Sequence, residues 1–293
     1  MSTCLIFPGQ GAQSVGMGKE LYESNAAARA VFDAVDDALG EKLSEIIFNG
    51  PTETLTLTAN VQPAIFAVSL AILKSNPNIF DTDVKFVAGH SLGEYSALCA
   101  AGAIGIADTA QLLRLRGKSM QQAVPVGMGM VSVIIGLDAT LITEICRESG
   151  AQMANDNGAN QFVISGLAAD VEKAMEIAKS RGARRAMQLP LSAPVHCSLQ
   201  LPTADIMADA LSNIEIKAPT HPLISNKTTL PMSEPDEIRD ALVYQITHGV
   251  RWRESVTNMP DFGITKTIEV GPGSALTGMV QRITDKITAE KIG

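Results

Sequence analysis

Apolar positions along this chain follow two rhythms. Thr3–Phe7 and Val84–Ala88 are short apolar runs of strand length, and Lys266–Val270 reads as a third strand. Elsewhere apolar residues return every three or four positions, the repeat of a helix face, over Val61–Lys74 and from Asp108, the expected cap, to Ala123. Leu92–Ala101 is Ala-rich and helical, with Gly102 as its stop, and another helix is expected after Gly271-Pro272-Gly273. Strands that alternate with helices in this way predict an α/β fold with a mainly parallel sheet.

The middle of the chain breaks the alternation. Val131–Leu137, Gln152–Ala154, Gln161–Ser165 and Arg184–Leu189 read as strands, and Thr140–Glu148 and Ala168–Ser180 as helices. That order, β-α-β-β-α-β, is the ferredoxin-like unit. An inserted small domain is therefore expected at residues 125–193, with Pro190 and Pro194 marking its exit. The large domain is expected to be built from residues 1–124 and 194–293.

Composition supports this picture and narrows the function. The chain has 293 residues, 46% hydrophobic and 18% charged, which suits one large folded unit carrying a small one. Its net charge of −8, without Lys/Arg runs, speaks against nucleic-acid binding. No basic segment leads into a long apolar run at the start, so no signal peptide is expected. The Ala-rich stretch around Ser96–Ala107 is interrupted by Gly102, Gly105 and Asp108 and is too short to span a membrane. Cys4, Cys99, Cys146 and Cys197 form no C-x-x-C pair, which fits reduced thiols in a cytoplasmic protein rather than disulfides or a metal site.

The chemistry begins where Val84–Ala88 runs into Gly89-His90-Ser91-Leu92-Gly93 and then a helix. This is G-x-S-x-G in its required setting of strand, sharp turn and helix, and it marks Ser91 as a nucleophile rather than part of an ordinary turn. The helix N-terminus behind the serine favours developing negative charge. One oxyanion donor is then the backbone N–H of Leu92. The second should come from a loop after another strand. Gly9-Gln10-Gly11 suits that role, although alone it reads equally well as a plain turn.

A base is needed next. Of the four histidines, His90 should point away from its neighbour Ser91, and His221 and His248 lie in ordinary polar segments. His196, in Ser192-Ala193-Pro194-Val195-His196-Cys197, sits where the chain re-enters the large domain and is the best candidate. An acid preceding it would be Asp138, Asp156 or Asp170, all within the insert. A Ser91–His196 dyad, with the imidazole oriented by a backbone carbonyl, is the preferred reading. Finally, Leu112, Leu113, Arg116, Gly117 and Met120 share one helix face, with Arg114 and Lys118 expected on the opposite side. A guanidinium on an apolar face needs a partner. An internal carboxylate and a substrate carboxylate, held by a two-pronged contact, both remain open.

Taken together, Phe7-Pro8-Gly9-Gln10-Gly11, Gly89-His90-Ser91-Leu92-Gly93-Glu94-Tyr95, Arg116-Gly117-Lys118-Ser119-Met120-Gln121, Val195-His196-Cys197 and Glu269-Val270-Gly271-Pro272-Gly273 occur in an order and spacing that carry a family resemblance. The chain resembles the malonyl-CoA:acyl carrier protein transacylases of bacterial fatty-acid synthesis and is similar to the acyltransferase domains of polyketide synthases. The resemblance implies a hydrolase-like large α/β domain with a ferredoxin-like insert. It implies ping-pong transfer of malonyl from coenzyme A, through Ser91, to the phosphopantetheine thiol of an acyl carrier protein. The coenzyme A thioester is then a substrate, and no bound cofactor or metal is implied. By the same resemblance Gln10 and Leu92 supply the oxyanion N–H groups and Arg116 holds the malonyl carboxylate. The carbonyl of Arg251 helps to orient His196, Asn155 and Asn157 line the pantetheine channel, and Gln62, Met120 and Val195 border the acyl site. Val195 departs from the Phe or Ser usual at its position.

Two rivals share some of these features. A serine esterase or lipase would share the elbow but needs an acid partner and a lipid-facing lid. A non-catalytic carrier-binding module would not need Ser91, His196 and Arg116 intact. Acyl carrier proteins are strongly acidic, so Arg181, Arg184 and Arg185 at the edge of the insert are candidates for docking one, unless they are merely a solvated strand end. Neither membrane nor nucleic acid is an expected partner, and a monomer is the simplest assembly.

Overall fold

The computed structural model describes residues 2–125 and 127–293. Met1, at the start of the expected large domain, and Val126, near the expected start of the insert, lie outside the described residues. The strands among the described residues are β1 (Ser2–Phe7), β2 (Val84–Gly89), β3 (Gly129–Ile135), β4 (Gln152–Asp156), β5 (Gln161–Leu167), β6 (Arg185–Gln188), β7 (Leu223–Ile224), β8 (Pro231–Met232), β9 (Ile264–Val270) and β10 (Thr288–Ile292). Six of them form one sheet in the order β10-β9-β1-β2-β7-β8. Every neighbouring pair in it is parallel except β7–β8.

β1 shows why the first apolar run is unbroken. Leu5 and Phe7 point into a core shared with the helix Thr58–Ser75, while Cys4 and Ile6 point to the other face, among Trp252, Val256 and Val280. A central parallel strand is covered on both sides, so alternation between apolar and polar disappears. β1, β2 and β7 end on the same edge of the sheet, and the loops that leave them meet there. Open α/β sheets bind their ligands along that carboxyl edge.

The remaining four strands form a second sheet, ordered β4-β5-β3-β6, with antiparallel neighbours throughout. The helices Ala139–Ser149 and Ala168–Ser180 cover one of its faces, burying Ile142, Ile145, Val171 and Ala174 against Ile134, Phe162 and Ile164. The other face presents Val131 and Val163 to Ala193 at the end of the insert and to Met120 and Val195 of the flanking segments. The second sheet is also tied to the segment around Val250, which leads into the helix Trp252–Asn258. Val250 N–H donates to Ala154 O at 2.8 Å and Asp156 N–H to Val250 O at 3.0 Å, and Arg253 pairs with Asp156 at 2.8 Å.

Several details depart from expectation. The helix expected from Asp108 spans Ile106–Ala123, and Gly105 stands at its N-cap, so Asp108 lies in the first turn rather than capping it. Arg114, expected on the solvated side, is buried. It donates to Ala59 O and Asn60 Oδ1 and pairs with Glu41, because a neighbouring helical layer covers that side as well. No helix among the described residues is long and apolar enough to cross a membrane.

Candidate active site

The elbow is built by glycine sterics. A Cβ on Gly89 would lie 1.9 Å from the Gly93 carbonyl carbon, and one on Gly93 would lie 2.2 Å from Phe7 O. Only glycines let β2, the turn and the helix Gly93–Ala100 approach this closely, which is the physical content of the G-x-S-x-G spacing. Ser91 is left at φ 54°, a left-handed conformation held from below by Asn226. Asn226 Oδ1 accepts from Ser91 N–H at 3.0 Å and its Nδ2 donates to Gly89 O at 2.7 Å.

Ser91 and His196 meet across the sheet edge. His196 Nε2 lies 2.8 Å from Ser91 Oγ, and its Nδ1 lies 2.5 Å from the backbone carbonyl of Gln245. A carbonyl only accepts, so Nδ1 carries the hydrogen and Nε2 is free to accept from the serine hydroxyl. Burial, helped by the nearby Arg116 charge, lowers the imidazole to about 3, so the base rests in its neutral form.

Arg116 reaches the same point. It is 1% exposed, and its guanidinium donates to Gln62 Oε1 at 2.7 Å, Gln245 Oε1 at 3.1 Å and Ser91 Oγ at 3.1 Å. Among the described residues no carboxylate forms an ion pair with it. The internal salt bridge left open by the sequence is therefore not what this arginine makes. Gly117 beside it lets its helix approach the helix Thr58–Ser75, since a Cβ there would lie 2.4 Å from Thr58 O.

These groups face a cleft of about 350 Å³ between the two sheets, lined by Ser91, His196, Arg116, Gln62, Val195 and the loop Pro8–Gln13 on one side and by Val133, Asn155, Asn157 and Val163 on the other. Gln10 and Leu92 both line it, and neither backbone N–H donates to another group among the described residues. Gln10 Nε2 and Asn155 Oδ1 are buried without partners there. Asn157 Oδ1 meets His90 Nε2 at 2.9 Å, so His90 does turn away from Ser91, and it fastens the second sheet to the elbow. His221 and His248 make local contacts with Thr220 and Thr247.

The comparisons with known proteins accord with this geometry. The model of the family described as "Acyl transferase domain" matches residues 4–292. The chain belongs to the acyl transferase family. A malonyl CoA-acyl carrier protein transacylase from Bacillus subtilis strain 168 is 44% identical over 96% of this chain and 90% of its own length. The crystal structure of an acyl-carrier-protein-S-malonyltransferase from Bartonella henselae superposes with a TM-score of 0.97 at 50% identity, covering 100% of this chain and 96% of that one. A malonyl-transacylase solved in complex with a type II polyketide synthase acyl-carrier protein superposes with a TM-score of 0.96 at 38% identity, covering 100% and 96%.

Two family-based expectations need correction. Arg251 does not orient His196: its carbonyl accepts from Ser255 N–H and Oγ–H, and its side chain pairs with Glu254. Gln245 supplies the carbonyl instead, from the last turn of the helix Pro235–Thr247. Met120 is fully buried one layer behind the cleft, where its Sδ accepts from Gln62 Nε2 at 3.5 Å, so it places Gln62 rather than touching the acyl site. The sequence reading missed Gln245 and Asn226. Gln245 had a signal: with Ile238, Ala241, Leu242 and Ile246 it completes a buried helix stripe, the same anomaly that singled out Arg116. Asn226 had none, because it lies in a loop without periodicity.

Proposed function

We propose that this chain is an acyl carrier protein S-malonyltransferase, working through a malonyl-Ser91 intermediate in fatty-acid synthesis. The observation that carries the reading is a buried guanidinium that no carboxylate contacts among the described residues, 3.1 Å from the hydroxyl of a serine that a neutral histidine can deprotonate. Ser91 Oγ attacks the thioester carbonyl of malonyl-CoA while His196 Nε2 takes its proton. The oxyanion forms against the N–H groups of Gln10 and Leu92. Collapse breaks the C–S bond, and the proton passes from His196 to the departing coenzyme A thiolate. The thiol of a carrier protein's phosphopantetheine arm then gives its proton to His196 and attacks the ester; the bond to Ser91 Oγ breaks, His196 returns the proton to that oxygen, and the carrier leaves with the malonyl group.

Arg116 would hold the malonyl carboxylate, and Gln62 supports the guanidinium. Asn155 and Asn157 would line the channel that admits the pantetheine arm. The two malonyltransferases and the carrier-bound transacylase described above support the substrate and the partner. An esterase reading has no use for a buried cation beside the nucleophile. The insert reads as a ferredoxin-like domain over residues 125–193, supported by its strand order, on a hydrolase-like large domain made of the two flanking segments. We place the enzyme in the cytoplasm as a monomer.

The test is intact mass after mixing with malonyl-CoA. Wild type should gain one malonyl group and lose it to added carrier protein, and Ser91→Ala should gain none. An adduct on the Ala variant would remove Ser91 from its role, and loss of the adduct to water alone would point to a hydrolase.

A further inference from the structure

Glu94 stands directly behind the elbow, in the first turn of the helix Gly93–Ala100, and is fully buried. None of the chemistry above uses it. Both of its oxygens accept from N–H donors: Oε1 from the backbone of Asn226 at 2.6 Å, and Oε2 from the side-chain amide of Gln245 at 2.5 Å. Those two partners are the residues that hold the site together. Asn226 grips the Ser91 turn from below. Gln245 holds His196 with its backbone carbonyl and turns Oε1 toward Arg116.

Donor and acceptor counting leaves this chain one arrangement. A guanidinium only donates, so Gln245 must show its oxygen to Arg116, and its NH₂ then faces Glu94. Glu94 must accept there and must also accept from the Asn226 backbone, which cannot be turned over. An ionised carboxylate meets both demands. A neutral acid carries a hydrogen that has nowhere to go but Oε2, against the Gln245 NH₂. Turning the Gln245 amide over would relieve that contact but would set its NH₂ against Arg116. Buried polar groups matched this closely have no inexpensive alternative.

We infer that Glu94 is a positioning residue and the buried counter-charge of Arg116, fixing the guanidinium through the Gln245 side-chain amide and the Ser91 turn through Asn226. The inference rests on the reading of Arg116 as the malonyl clamp. Compensation through one intervening amide, rather than by direct contact, keeps a carboxylate of the protein off the guanidinium, which still lines the cleft. Burial lifts the Glu94 carboxyl to about 8, and the bonds from Asn226 N–H and the Gln245 amide, together with the Arg116 charge, oppose the rise and favour the ionised form. Other titratable groups around it do not change charge there. Burial raises the Tyr95 phenol to about 12 and lowers His196 to about 3, it also lowers His90, and Arg116 remains a cation.

The test measures initial rates of Ser91 acylation by malonyl-CoA and acetyl-CoA from about pH 6 to 9, with melting temperatures, on the full chain as wild type, Glu94→Gln and Gln245→Met. In wild type the malonyl rate should rise at least about threefold as pH passes through about 8, while the acetyl rate stays level. Glu94→Gln should lose at least about tenfold on malonyl-CoA, less than about threefold on acetyl-CoA, and the pH step altogether. Gln245→Met keeps the carbonyl for His196, deletes the amide and should show the same selective loss. Equal losses on both substrates in a folded variant overturn the inference. Should Glu94→Gln fail to fold, Gln245→Met decides. A wild type that takes no malonyl group removes the proposed function and this inference with it. A wild type that malonylates, with an unchanged substrate ratio in the variants, sinks the inference alone.

Discussion

Replacing Arg116 by Ala tests the substrate class most directly. Its guanidinium has five N–H donors. The protein occupies three of them, with Gln62, Gln245 and Ser91, and Nε is buried without a partner, so a two-pronged carboxylate contact would replace the Nη2 contact to Ser91 Oγ. A charge-assisted two-pronged contact is worth about 1.5–3 kcal/mol, and at one tenfold per 1.4 kcal/mol this is about 10- to 150-fold in kcat/KM for malonyl-CoA. Burial at 1% exposure places the effect toward the upper end, because water screens little there. Acetyl-CoA offers no carboxylate, so its rate should not fall by more than about threefold. Lys at the same position should recover only part of the malonyl rate, since an ammonium lacks the planar fork. Stability should fall modestly: no carboxylate contacts Arg116 among the described residues, but the buried Glu94 behind Gln245 loses its counter-charge. The assay is acylation of Ser91 by both acyl-CoAs, followed by intact mass, with a thermal melt on the same samples. Equal losses on both substrates together with a large drop in melting temperature would refute the clamp and return Arg116 to a purely structural role.

Two further outcomes are expected. Because burial holds the His196 imidazole down at about 3, acetylation of Ser91 should stay level as pH falls from about 8 to about 5, whereas an ordinary imidazole would already be half protonated near 6.5; a fall centred near 6.5 would contradict the buried neutral base. At the edge of the insert Arg181 is engaged with Glu148 and Glu144, while Arg184 and Arg185 are exposed without ion-pair partners among the described residues. Reversing Arg184 and Arg185 to Glu should slow transfer to an acidic carrier protein at low salt and leave acylation by malonyl-CoA unchanged, and equal effects on both half-reactions would remove the docking surface.

What the sequence determined by itself was local. The apolar run of β1, the β2–turn–helix elbow and the strand–helix order of the insert are legible because burial on both faces, glycine sterics and helical periodicity each act over a few neighbouring residues. Ser91 follows from that local geometry, and Arg116 from a charge placed on an apolar stripe. His196 was found by elimination among four histidines, not by any signal that it would lie 2.8 Å from a serine 105 residues away.

Tertiary structure alone decided the rest. The orienting carbonyl belongs to Gln245 rather than Arg251, and no sequence pattern distinguishes one backbone carbonyl from another. Met120 withdrew behind Gln62, because a helix stripe tells which side is buried but not how many layers separate a residue from the cleft. Arg114 is buried although periodicity puts it opposite Arg116, because a helix packed between layers has no solvated side over that turn. Glu94 acquired its neighbours only when Gln245 and Asn226, from distant segments, closed around it. The division is physical: the repeats that shape elements are written in adjacent residues. Which unpaired donor meets which acceptor depends on how those elements pack across the sheet edge.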